Sequence, residues 1–206
     1  MTTDTELRAE RVAAMGADLG NLYHELEGDL AWLLRKQREF GDLFGDDDSQ
    51  TDLLNRVASN FFYFLERMFY EDALLHIGRL TDPAQTGGRA QQANLTIQAL
   101  GGATTDPNLK MQVQAAVDAA VSASRFAREW RNKRLAHADL AMHRQGQASS
   151  LPEVRRGDIA AAAEAIAEPI KLVARHFGVP SALLNLSDPW GAKALVQYLR
   201  KAESTA

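Results

Sequence analysis

Apolar residues recur at three- and four-residue steps through nearly the whole chain, and no segment alternates for long with a period of two. That rhythm is the signature of amphipathic helices and argues against a sheet-based core. From Thr5 to about Phe44 the series is Leu7, Val12, Met15, Leu19, Leu22, Leu26, Leu30, Leu33 and Leu34, with charge between them. Gly16, Gly20 and Gly28 each weaken it by about 1 kcal/mol relative to Ala, so the region is one long helix or two pieces. Thr51 to Leu80 is the most apolar helix, covering more than one face with Leu53, Leu54, Val57, Phe61, Phe62, Phe64, Leu65, Met68 and Phe69. Such a helix belongs between neighbours or at a subunit interface. A base-stacking platform is the other use of such rings, but no basic residues alternate with them, so core packing is the expectation.

Boundaries come from caps and breakers. Asp46-Asp47-Asp48 forms an acidic turn suited to the positive start of the next helix, which Ser49 or Thr51 can cap. Adjacent loop carboxylates diverge and no downstream Glu completes a calcium loop, so a metal site is not expected there. Pro83 ends the second helical region. His76 and Arg79 share a face just before it; they stand near a catalytic centre or, as preferred here, complement the helix C-terminus. Gly87-Gly88 marks a flexible loop, and Asn94 is placed to cap a short turn up to Gly101-Gly102. Asp106-Pro107 opens another helix, expected to run unbroken to about Ala136. Met142 to Ser150 is a polar loop. Asp158 to Phe177 is helical, closed by Gly178, with Pro169 inside predicting a kink or a break. A last helix starts at Asp188-Pro189, with Leu195, Val196, Tyr198 and Leu199 as its apolar side. The fold class is therefore all-α, a bundle of five to seven helices.

Composition excludes several function classes. There is no cysteine, hence no disulfide framework, thiolate zinc site or cysteine nucleophile, and a reducing cytoplasm suits the chain. No apolar run approaches the roughly 20 residues that span a bilayer, and Met-Thr-Thr-Asp-Thr-Glu is no secretory signal. The formal net charge is −4, but Arg125 to Arg156 holds eight Lys or Arg against three Asp or Glu. One basic region on an acidic body can draw a phosphate backbone to one place; a solvated helix face has the same composition.

Within that region, Arg131, Asn132 and His137 are similar to the Arg-x4-6-His signature of HEPN-domain ribonucleases. The chain further resembles the abortive-infection U-type HEPN proteins in an Arg-Leu-Thr-Asp-Pro corner (Arg79 to Pro83), an Asn-Leu-Thr segment (Asn94 to Thr96) and an Arg-Asn-Lys-x-x-Ala-His-x-Asp run (Arg131 to Asp139). The resemblance covers roughly Thr51 to Leu140. It implies a single HEPN-like domain over residues 1–206: an N-terminal helical region (5–44), a motif-bearing core (51–140) and C-terminal helices (157–202).

The activity it implies is that of a cytoplasmic, metal-independent endoribonuclease without cofactor, working as a homodimer in toxin–antitoxin or phage-defence systems. RNA is the expected partner, a cognate antitoxin a further one, and no membrane is involved. The implied catalytic residues are Arg131, His137 and Asn132, with Lys133, Arg134 and Arg128 on RNA phosphates and Asp139, Arg79 and Asp82 in support. Imidazole can move protons near neutral pH, and a guanidinium fork matches two phosphate oxygens. On a regular helix, residues six apart point about 120° from each other. Arg131 and His137 then share a face only if the helix ends, tightens or bulges between them, whereas Lys133 and Arg134 align with His137 without that. Two other classes stay open: a non-catalytic HEPN module binding RNA, a nucleotide or a protein, and a structural interaction bundle using the aromatic helix as its dimer surface.

Overall fold

The computed structural model describes residues 3–45, 48–86, 92–132, 154–181 and 190–205. Among them the helices are α1 (Asp4–Met15), α2 (Ala17–Phe44), α3 (Asp48–Leu80), α4 (Leu100–Ala103), α5 (Pro107–Ala123), α6 (Arg125–Trp130), α7 (Arg156–Phe177) and α8 (Ala192–Thr205). A single 3-10 turn, Ile97–Ala99, precedes α4. The one extended feature described is a two-residue antiparallel pairing, Gln85–Thr86 with Gln92–Ala93. The molecule is an all-α bundle.

The N-terminal region divides at Gly16, whose φ of 82° lies where side chains are strained and glycine is not. There the chain reverses, and α1 packs back along α2. Buried Arg11 bridges His24 and Glu27 on α2, and Tyr23 donates to Glu27 at 2.9 Å. Helix α2 is the central rod: Leu19, Tyr23, Leu26, Leu30 and Leu33 alternate in steps of three and four and are buried. They share one apolar core with Leu74, Ile77 and Leu80 of α3, Val113 and Val117 of α5, and the stripe Ile159, Ala162, Ala163, Ile166, Ile170 and Val173 of α7. Small residues on α7 let α5 run close along it. A second apolar cluster gathers Leu43, Phe44, Leu53, Leu54 and Phe62 with Val196 of α8.

Several elements depart from the sequence expectation. Helix α3 begins at Asp48, ahead of Ser49 and Thr51, and bends at Ala58 (φ −162°, ψ 67°). Thr96, not Asn94, caps the turn at Ile97, accepting from the Gln98 N–H. The helix opened by Asp106, whose carboxylate accepts from the Leu109 N–H at 2.7 Å, stops at Ala123 instead of running on. Ser124 leaves helical angles (φ −95°, ψ 4°), and beside the break Arg128 Nη2 competes for the Val121 carbonyl at 3.1 Å. Pro169 does not divide α7, which is one helix to the left-handed Gly178. In α8, Val196 is buried while Leu195 and Tyr198 are exposed.

The largest difference concerns α3. Its outer rings Phe61 and Phe64 are 60% and 61% exposed and Met68 is 64% exposed, so core packing within one chain does not account for them. The buried face is used up by Leu53, Leu54, Phe62, Leu74 and Ile77, and among the described residues nothing covers the outer one. No described helix is long and apolar enough to cross a membrane.

The α1–α2 contact makes a test in which helix propensity and packing disagree. A Cβ on Gly20 would stand 2.7 Å from the Arg11 carbonyl oxygen and the Val12 Cα, while one on Gly28 meets nothing within 4 Å. Gly28→Ala should stabilise the fold by up to about 1 kcal/mol, whereas Gly20→Ala should cost about 1–3 kcal/mol. Urea unfolding of the two variants beside the parent chain checks both signs.

Candidate functional site

Two polar rows face each other where α2 runs antiparallel to the end of α3. On α2, Asp29, Trp32 and Lys36 stand three and four residues apart; on α3, Asp72, His76 and Arg79 do the same. Such spacing holds each row on one helix face. The rows interlock from opposite ends: Asp29 binds Arg79 and His76, and Lys36 binds His76 and Asp72.

Asp29 is half-buried. Its Oδ1 accepts from His76 Nε2 at 3.0 Å and from Arg79 Nη2 at 2.6 Å, while Oδ2 is buried without a partner among the described residues. Burial pushes this carboxyl up, but the hydrogen bonds and charges of His76 and Arg79 together outweigh it and hold it below the usual range. Lys36 Nζ lies 3.1 Å from His76 Nδ1. Since an ammonium can only donate, Nδ1 accepts and Nε2 carries the proton toward Asp29. Both ring nitrogens are thereby engaged, and His76 is 5% exposed, so it orients its neighbours. Arg79 stands in the last turn of α3, as the sequence reading preferred, and both it and His76 also pair with Asp29.

The third wall comes from the corner after α3 and the end of α6. Arg131 Nη1 reaches Asp82 Oδ2 at 2.6 Å. The corner is pinned from behind by the segment preceding α4. Buried Thr96 points its hydroxyl at the carbonyls of Leu80 (2.9 Å) and Asp82 (2.7 Å). Gln98 Nε2 donates to Thr81 at 2.8 Å, and Asn94 Nδ2 donates to Pro83 at 2.8 Å. Thr81 closes the helix end by donating to Ile77 at 2.8 Å. At Arg131–Asn132 the backbone widens into a π-type turn, a departure from regular helix of the kind that function favours. Trp32, Lys36, Arg79, Asp82 and Arg131 thus line one open cleft.

A family model for HEPN AbiU2 (AbiU2) matches residues 16–191. The chain belongs to the HEPN AbiU2 family. No curated protein and no solved structure matches it. The match begins at the Gly16 reversal, so α1 lies before it, and ends just ahead of α8.

In this HEPN AbiU2 domain the described residues of the three segments that carried the resemblance, Arg131 and Asn132 among them, meet at one point. Asn94 and Thr96 brace the Arg79–Pro83 corner, and the corner's Asp82 receives Arg131. Arg131, Asn132, Arg79 and Asp82 are therefore brought together, with Asn132 Oδ1 accepting from Arg131 Nε at 3.4 Å. Arg128 turns inward to the Val121 carbonyl, its Nε buried without a partner among the described residues. Lys133, Arg134, His137 and Asp139 lie outside the described residues. Sequence reasoning missed Asp29, Trp32 and Lys36. The available signal was a polar row on a leucine-rich helix, which reads equally as a solvated face.

Asp29→Asn keeps the volume and removes the charge. It should cost about 1–2 kcal/mol at pH 7, the scale of a charge-assisted hydrogen bond. A depressed carboxyl stabilises the fold above its unfolded value near pH 4 and loses that contribution as pH falls through the folded value. Urea unfolding should therefore show the gap between parent and variant closing as pH falls below the ordinary carboxylate range, about pH 4.

Proposed function

We propose that this HEPN AbiU2 domain is an RNA-directed effector that cleaves single strands through the substrate's own 2′-hydroxyl, at a site completed by a second copy. The observation that carries the reading is the placement of Arg131. The motif arginine sits at the end of α6 in an open cleft, oriented by Asp82, with Arg79 and Lys36 on the facing walls. A guanidinium so placed can bind two non-bridging phosphate oxygens and stabilise charge that grows at the phosphorus.

In the proposed reaction the 2′-oxygen bonds to phosphorus as the bond to the 5′-oxygen breaks. One proton leaves the 2′-hydroxyl for a base and another reaches the departing 5′-oxygen from an acid. The products are a 2′,3′-cyclic phosphate and a 5′-hydroxyl, and no metal is required. His137 is the proposed proton-transfer group, since its unperturbed pKa suits either role near neutrality. Two copies supply one imidazole for each role. Support for self-association comes from the exposed apolar face of α3, which is left open among the described residues and whose Leu75 also lines the cleft. That apolar face therefore reaches the edge of the site. The biological setting proposed is phage defence or toxin–antitoxin control.

One observation favours a second reading, a HEPN module that binds RNA or a nucleotide without cutting it. Arg131 already has a carboxylate partner in Asp82, and a phosphate must share or displace it.

Purified protein incubated with total RNA and excess chelator separates the readings. Cleavage should yield cyclic phosphate ends. It should fall at least about 100-fold in His137→Ala and about 100-fold in Arg131→Ala, with thermal unfolding of both variants checked. Binding without cleavage selects the second reading, and cleavage unchanged in His137→Ala removes the first.

A further inference from the structure

We infer that Trp32 is a stacking platform for an unpaired nucleobase, and that Arg79 beside it takes the phosphate of the same nucleotide. This deepens the RNA-directed reading and rests on it.

Helix α2 buries its large apolar residues, yet the indole of Trp32 is 54% exposed. A tryptophan in that state leaves on the order of 100 Å² of a flat, apolar π-surface in water. Its surroundings distinguish it from the exposed rings of α3. Phe61, Phe64 and Met68 stand on an apolar face, whereas Trp32 lines the cleft with Lys36, His76, Arg79 and Arg131. Lys36 Nζ lies 5.8 Å from the centre of the Trp32 ring, so a cation stands at the ring already. A protein partner of apolar character would be drawn to α3; a ligand with a π-face and an anion is drawn here.

The acids of the cleft do not repel such a ligand, because each has a cation. Asp29 holds Arg79, Lys36 holds Asp72, and Arg131 holds Asp82. Of the three cations, Arg79 has the most exposed side chain, at 50%, against 18% for Lys36 and 25% for Arg131. One Nη2 contact to Asp29 fixes its guanidinium and leaves most of its five N–H donors for a phosphate. Aromatic stacking beside a phosphate-binding cation is how single strands are held with little regard to sequence. Duplex RNA, whose bases are already stacked, cannot use the ring.

The test uses an uncleavable 2′-O-methyl RNA oligonucleotide, with affinity read by fluorescence anisotropy and cleavage of ordinary RNA read in parallel. Trp32→Ala should weaken binding about 5- to 100-fold, while Trp32→Phe should stay within about 5-fold of the parent. Arg79→Ala should weaken binding and reduce the slope of log affinity against log salt by about one. Parent protein that binds or cleaves RNA while Trp32→Ala binds equally well overturns the inference and leaves the functional reading standing. An equal loss on duplex RNA of the same sequence also overturns it. Parent protein that neither binds nor cleaves RNA overturns both.

Discussion

The geometry of this domain depends on where α2 must lie. Five large buried side chains on one stripe of that helix, Leu19 to Leu33, sit in the main apolar core, where α2 packs on both α3 and α7. Burial of one such side chain is worth about 1.5–3 kcal/mol, so α2 cannot rotate about its axis without losing several contacts at once. That constraint fixes the neighbouring face as well. Asp29 is thereby carried into a partly dry position against α3. A carboxylate there is tolerable only if cations or donors come with it, and His76 and Arg79 supply them. The apolar seam chooses the angle, and the polar ladder beside it admits one register.

The same logic explains why the cleft is charged but balanced. Every acid in it is matched to a base drawn from another element, so the cations are held by contacts from a distance in sequence. Arg131 is the clearest case. It stands at the end of a six-residue helix, a poor anchor alone, and gains its orientation from a corner that is itself held by Thr96, Gln98 and Asn94. Side chains that meet phosphate in a site of this kind are only as well placed as the backbone behind them. Here that backbone is braced by a short polar segment whose hydroxyl and side-chain amides donate to the corner's carbonyls.

Much of the architecture was legible in the sequence because it is local. The 3.6-residue rhythm, the cap at Asp106 and the left-handed Gly178 depend on neighbours a few residues away, and the structure has them where expected. What escaped is non-local. The break at Ser124 has no Pro or Gly to announce it and arises beside a side-chain contact from Arg128. Pro169 was read as a kink or a break, and of the two the break does not occur: the α7 stripe packs on α2 and α5 along one helix. The rings of α3 were assigned to the core on hydrophobicity alone, which cannot say which of two apolar faces finds a partner. For the site, Arg131, Asn132, Arg79 and Asp82 could be singled out from their motifs, but their meeting needed the fold. Asp29 and Lys36 lie 36 to 50 residues from the α3 groups they pair with, and no spacing rule connects these residues or Trp32 to them.

The hinge at Gly16 bears on where this domain begins. The family match starts at that glycine, which invites treating everything before it as a dispensable leader. Electrostatics draws the border elsewhere. Glu27, wholly enclosed within the matched region, receives the guanidinium of Arg11 from the helix ahead of it, and His24 receives Asp4 from the same helix. A recombinant fragment trimmed to the matched limits would keep each residue that the family shares and yet open a charged seam to water. On its N-terminal side the packed unit reaches one helix past the family match, and on the other side Val196 of α8 packs beyond it too.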